Sequence, residues 1–147
     1  MIEQKREAQL RQSIELLFFS YRAFTRGPDD ILAKQGLGRV HHRILYFVGR
    51  DPGLSINDLL AVLGISKQAL NQPLRQLVSM ELVKNGKSKY DGRVRELRLT
   101  SSGKRLEARL TGTQLLQLEN IFSNCGRKTE KAWQAVMQQL ASDLSSD

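Results

Sequence analysis

Two clusters of side chains have types and spacings suited to one kind of chemistry, the recognition of a polyanion. Between Lys84 and Arg98 stand six basic residues, Lys84, Lys87, Lys89, Arg93, Arg95 and Arg98, against Asp91 and Glu96, so this segment carries half of the formal net charge of +8. Cations gathered in this way attract a nucleic-acid backbone, because each neutralised phosphate releases condensed counterions. A solvated cationic surface is the plain alternative. Just upstream, Lys67, Gln68, Asn71, Gln72 and Arg75 point away from the helical stripe Leu70, Leu74, Leu77 and Val78. Asparagine and glutamine amides pair bidentately with adenine, and lysine reaches the guanine edge. That face therefore has the groups a major groove reads; a solvated helix surface is the lesser alternative.

The other reactive residue types offer less. His41 and His42 are adjacent, so on a helix they diverge by about 100° and cannot both face one metal. Cysteine and carboxylate partners at ligand spacing are lacking, so neither a metal nor a cofactor is expected, and one histidine, His41, is left as a candidate for lining a ligand pocket. Cys125 is the single cysteine; it excludes an intrachain disulfide framework, suits a reducing compartment, and is most simply a packing residue. The chain has no phosphate-binding loop, nucleophile elbow or metal-ligand cluster, so it is not expected to be an enzyme. Its apolar runs fall short of the roughly 20 residues of a membrane helix, and the first residues, Met1 to Glu7, lack the apolar stretch of a signal peptide. A cytoplasmic protein without membrane contact is expected.

These groups need elements to hold them. With 147 residues, of which 40% are hydrophobic, the chain is long enough for one domain with a real core. A first helix from about Glu3 to Thr25 shows Leu10, Ile14, Leu17, Phe18 and Tyr21 at helical spacing, widened by Leu16 and Phe19. Gly27-Pro28-Asp29-Asp30 is expected to break it. A second helix puts Val40, Ile44, Phe47 and Val48 on one face and stops at Asp51-Pro52-Gly53. Ser55 then caps a short helix carrying Ile56, Leu59, Leu60 and Leu63, closed by Gly64, and Ser66 caps the helix that carries the polar face. Pro73, inside that helix, is expected to kink it, since it cannot donate to the Ala69 carbonyl.

Beyond Leu82-Val83 a polar stretch leads into Val94-Arg95-Glu96-Leu97-Arg98-Leu99, with leucines on alternate positions, which reads as a two-stranded hairpin with a basic tip. Thr100 caps a long helix with Leu106, Leu110, Leu115, Leu118, Ile121 and Phe122. Gly126 separates this from a last helix with Trp133, Val136, Met137, Leu140 and Leu144. The fold class is mainly α with a small β-hairpin wing. Tyr21, Phe24 and Tyr46 are expected in the core, with a second claim on an aromatic effector site.

Taken in order, the elements and several local strings resemble the multiple-antibiotic-resistance regulator (MarR) family of winged helix-turn-helix proteins. The strings are Leu59-Leu60-Ala61-Val62-Leu63-Gly64-Ile65-Ser66, Leu82-Val83, Asp91-Gly92-Arg93 and Leu99-Thr100-Ser101-Ser102-Gly103. Gly92 stands where the family usually has a second arginine. The resemblance implies a homodimer, with residues 1–36 and 104–147 forming its helical dimerisation region and 37–103 the DNA-binding region. By position it assigns double-stranded DNA to Ser66, Lys67, Gln68, Asn71, Gln72 and Arg75 in the major groove, with Arg93 at the wing tip and Lys87, Lys89 and Arg95 beside it. The dimer interface would use Leu10, Ile14, Leu17, Phe18, Trp133, Val136, Met137 and Leu140. The operator would be an inverted repeat, and a small aromatic or anionic effector would sit near Tyr21, Phe24, His41 and Tyr46. A protein-interaction module whose basic wing meets an acidic partner is the competing reading.

Overall fold

The computed structural model describes residues 1–146. Its elements follow in the order α1 (Gln4–Ala33), α2 (Arg39–Arg50), β1 (Leu54–Ser55), α3 (Ile56–Leu63), α4 (Lys67–Ser79), β2 (Val83–Lys87), β3 (Arg95–Leu99), α5 (Ser101–Cys125) and α6 (Arg127–Ala141), with a 3-10 turn at Ser142–Ser146. Among the described residues no helix is long and apolar enough to cross a membrane.

The helix starts are chemical. Ser55 Oγ accepts the Asp58 amide at 3.0 Å and Ser66 Oγ accepts the Ala69 amide at 3.1 Å, each satisfying a donor that the helix itself leaves open. Between them Gly64 ends α3 in the left-handed region at φ 65°, where a side chain would be strained. Thr100 does two tasks at once: its hydroxyl donates to the Glu81 carbonyl at 2.6 Å and accepts the Gly103 amide at 3.0 Å. That draws α5 against the turn before β2, and a Cβ on Gly103 would lie 2.0 Å from the Leu82 carbonyl oxygen.

Leu32, Ile44, Leu45, Val48, Leu59, Leu70, Leu77, Leu97 and Leu110 form the centre of one buried cluster. It joins α1 to α5 through the helix-turn-helix and the sheet. The chain divides into two compact units, the first being residues 1–114 and the second beginning at Leu115. The first half of α5 belongs to the winged unit, with Leu106 and Leu110 in its core. In the second unit the Phe122 and Trp133 rings, 5.4 Å apart, join α5 to α6.

Three expectations need correction. The first helix does not stop before Gly27 but runs on to Ala33 with Pro28 inside it. The carbonyl that Pro28 cannot reach is that of Phe24, four residues back, and it accepts the Gln114 side-chain amide at 3.3 Å. Gly27 lies where a Cβ would come 3.1 Å from Thr113 Oγ1, so the Gly-Pro pair is a close-packing site against α5. The wing is also not a lone hairpin: β1 pairs antiparallel with β3, Leu54 opposite Leu97, giving the sheet order β1-β3-β2. Two residues of strand are too few to show an alternation in the sequence. Finally, Tyr21 is outside the core, 42% exposed.

Candidate nucleic-acid interface

Burial orients α4. Leu70, Leu74 and Leu77 are buried, at 1%, 6% and 0% exposure, so Lys67, Gln68, Asn71, Gln72 and Arg75 face solvent together, beginning one residue after the Ser66 cap. The helix continues through Pro73 to Ser79. Its position against α2 is set by a hydrogen-bonded relay. The Gly38 amide donates to His41 Nδ1 at 2.9 Å, His41 Nε2 lies 2.9 Å from Gln76 Oε1, and Gln76 Nε2 donates to the Gly36 carbonyl at 3.4 Å. Because Nδ1 accepts, Nε2 is the ring nitrogen placed to donate a hydrogen bond to Gln76 Oε1.

The wing register places like charges opposite one another, Lys84 against Arg98 and Lys87 against Arg95. Such pairs destabilise an antiparallel ladder unless an anion lies between them. Arg98 is partly relieved by Glu96 at 3.4 Å, and Arg95 bends back to Asn85, donating to its side-chain oxygen at 3.1 Å and its carbonyl at 2.7 Å. Arg95 therefore braces the two strands. At the tip the Arg93 guanidinium is 95% exposed and 3.7 Å from Asp91, a pairing too solvated to hold it. Lys87 and Lys89 are exposed as well.

The residues assigned to an effector have different settings. His41 is buried, with both ring nitrogens spent on the relay to α4, so it joins the turn before α2 to the polar helix. Phe24 and Tyr46 are half-buried, and the Tyr46 ring meets Phe47 edge-on at 5.2 Å. Around the exposed Tyr21 lie two residues that the sequence reading passed over, Arg39 and Arg43. Arg43 donates to the Tyr21 hydroxyl, and Arg39 stacks 5.4 Å from the ring centre while pairing with Asp29 at 3.0 Å. That Asp29 hydrogen bond holds the Arg39 guanidinium above its usual pKa. Their i, i+4 spacing on α2 was the available signal. His42 is half-buried, with Nε2 3.1 Å from Thr111 Oγ1; burial lowers its pKa, Arg43 adds to the shift and Asp29 opposes it.

Of the residues assigned to a dimer interface, Leu10 and Met137 are half-buried, whereas Ile14, Leu17, Phe18, Trp133, Val136 and Leu140 are exposed. Cys125 is exposed at the end of α5. Among the described residues no group of three His, Cys, Asp or Glu side chains could hold a metal ion.

Residues 35–94 match the model of the MarR family. The chain is also 39% identical, over 90% of its length and 80% of the relative's, to the HTH-type transcriptional regulator PetP of Rhodobacter capsulatus. The chain belongs to the MarR family. Like other MarR family regulators it is a transcription regulator and not an enzyme. The fold agrees at greater sequence distance. FabT of Streptococcus pneumoniae, solved in complex with DNA, superposes with a TM-score of 0.81 at 14% identity, over 93% of this chain and 98% of that one. A Mycobacterium tuberculosis MarR family protein in complex with salicylic acid superposes with a TM-score of 0.59 at 22% identity, over 85% and 93%.

Proposed function

We propose that this MarR family protein binds double-stranded DNA sequence-specifically as a homodimer in the cytoplasm, on an inverted-repeat operator, and is a repressor released by a small aromatic or anionic effector. The observation that carries the DNA reading is the pairing of two surfaces: the solvent-facing amides and cations of α4, and a wing whose strands hold like charges in opposition. Neither arrangement helps the isolated chain, and both suit a duplex, whose major groove admits a helix while its phosphates lie alongside the wing. The FabT complex with DNA supports the same use of the fold.

The dimer rests on uncovered apolar surface. Ile14, Leu16, Leu17, Phe18 and Phe19 on α1, Leu115 and Leu116 on α5, and Trp133, Val136 and Leu140 on α6 are all between 45% and 65% exposed. Surface of that extent on one small protein calls for a partner. A second copy supplies it under two-fold symmetry, and half-sites then fall about 34 Å, or roughly 10 base pairs, apart. For the effector, Arg39 and Arg43 beside the exposed Tyr21 ring offer charge and stacking to an aromatic anion, and the salicylic acid complex of the M. tuberculosis relative supports that class.

Selection of bound sequences from a random duplex pool tests the reading. An inverted repeat is the expected product, with affinity falling as log salt rises by about 0.9 in log K for each phosphate neutralised. A slope near zero, or a motif without two-fold symmetry, overturns it. Binding of an acidic protein in preference to duplex DNA would do the same.

A further inference from the structure

The wing tip holds one residue that the electrostatic account does not use. Tyr90 is 95% exposed, so its ring packs on nothing in its own chain, unlike Tyr46 with its edge-on contact to Phe47. The backbone that carries it is well tied. Ser88 Oγ accepts the amides of Tyr90 at 3.1 Å and Asp91 at 3.4 Å, Asp91 Oδ1 accepts the Arg93 amide at 3.0 Å, the Asp91 carbonyl accepts the Val94 amide at 3.0 Å, and the Ser88 amide donates to the Val94 carbonyl at 2.9 Å. An aromatic ring is thus presented to water from a pre-ordered turn. Its exposed neighbours are Lys87, Lys89 and Arg93.

We propose that the Tyr90 ring is an uncharged DNA contact, lying flat against a deoxyribose at the edge of the groove that the wing tip enters. This rests on the DNA reading above. Ring and backbone are complementary: cations flanking the ring draw it to the phosphates, and between successive phosphates the backbone presents sugar C–H groups, the apolar surface that an aromatic face covers. Tyrosine also supplies this area at little cost in side-chain freedom, since only two torsions are fixed. The contact adds affinity without neutralising a phosphate, and it helps set the depth of Arg93 in the groove.

The test exploits that difference between ring and cation. Affinity for a selected duplex is measured as a function of salt for the full-length protein, Tyr90→Ala, Tyr90→Phe and Arg93→Ala. Covering about 50 Å² of ring at about 25–30 cal/mol per Å² predicts that Tyr90→Ala binds roughly tenfold more weakly per wing at every salt concentration, on a line parallel to the parent. Tyr90→Phe should stay within about twofold, and Arg93→Ala should flatten the line. Thermal melting should be the same for parent and Tyr90→Ala, because the ring touches nothing. Unchanged affinity in Tyr90→Ala, a flatter slope, or an equal loss in Tyr90→Phe would overturn the assignment. If the parent itself fails to bind duplex DNA, the DNA reading falls, and the contact falls with it.

Discussion

Gly103 shows how a single hydrogen atom can be the required side chain. A Cβ there would stand 2.0 Å from the Leu82 carbonyl oxygen, and that oxygen already accepts the Thr100 amide at 3.1 Å, so neither partner can move without breaking the junction of α5 and β2. Gly103→Ala should therefore cost more than about 3 kcal/mol in urea unfolding, the scale of overpacking with a forced backbone shift, whereas Ser102→Ala on the exposed side should fall within about 0.5 kcal/mol. His42 gives a pH-dependent prediction. Burial holds its folded pKa below the ordinary histidine value of 6.5, so between the two values the unfolded chain binds more protons than the native one. Stability rises with pH across that window and is complete above it. In His42→Gln that rise should be lost from a urea midpoint series; a series with the same rise would assign it to another group. The adjacent histidines were legible as facing apart, but which of them enters the core was not: that choice rests on Gln76, 35 residues away in sequence.

At the scale of elements, local signals were read well wherever they were complete within a few residues. The Ser55 and Ser66 caps, the left-handed Gly64 and the Thr100 junction are each a side chain or glycine acting on its own neighbourhood. Pro28 misled because its effect is settled from a distance: Gln114 satisfies the carbonyl that the ring leaves open, and the helix continues. The strand Leu54–Ser55 likewise exists only through its pairing with Glu96 and Leu97. The polar face of α4 was visible in full, since three buried leucines at helical spacing fix the opposite side. Gln68→Ala or Asn71→Ala should relax base preference in each half-site by about 1–3 kcal/mol for every bidentate pair removed, with unaltered melting because both side chains are exposed. Selection from random DNA that returns the parental motif for both variants would remove α4 from base recognition.

For the whole molecule, the resemblance implies a dimerisation region that includes 104–147, and within that span the first turns of α5 also complete the winged core through Leu106 and Leu110. A periodicity of leucines along one helix does not reveal that different turns serve different surfaces. No residue of α6 is buried in the single chain, so removing residues after Gly126 should leave the core of residues 1–114 intact while deleting much of the proposed pairing surface. Sedimentation of the truncated protein at micromolar concentration should give a monomer, with a helical circular dichroism spectrum and a cooperative melt. A truncated chain that still sediments as a dimer would place the interface on α1 and α5 without α6.

The opposed cations of β2 and β3 make the free wing respond to electrolyte in the sense opposite to its complex. Lys84 and Arg98, and Lys87 and Arg95, repel across the ladder, and dissolved ions screen that repulsion. Raising the ionic strength thus slows opening of the strand amides and their hydrogen exchange in the unbound protein while it weakens the hold on phosphate. At low ionic strength the unbound wing opens most readily, and on the proposed DNA reading a phosphate backbone lying alongside its paired strands is what closes it.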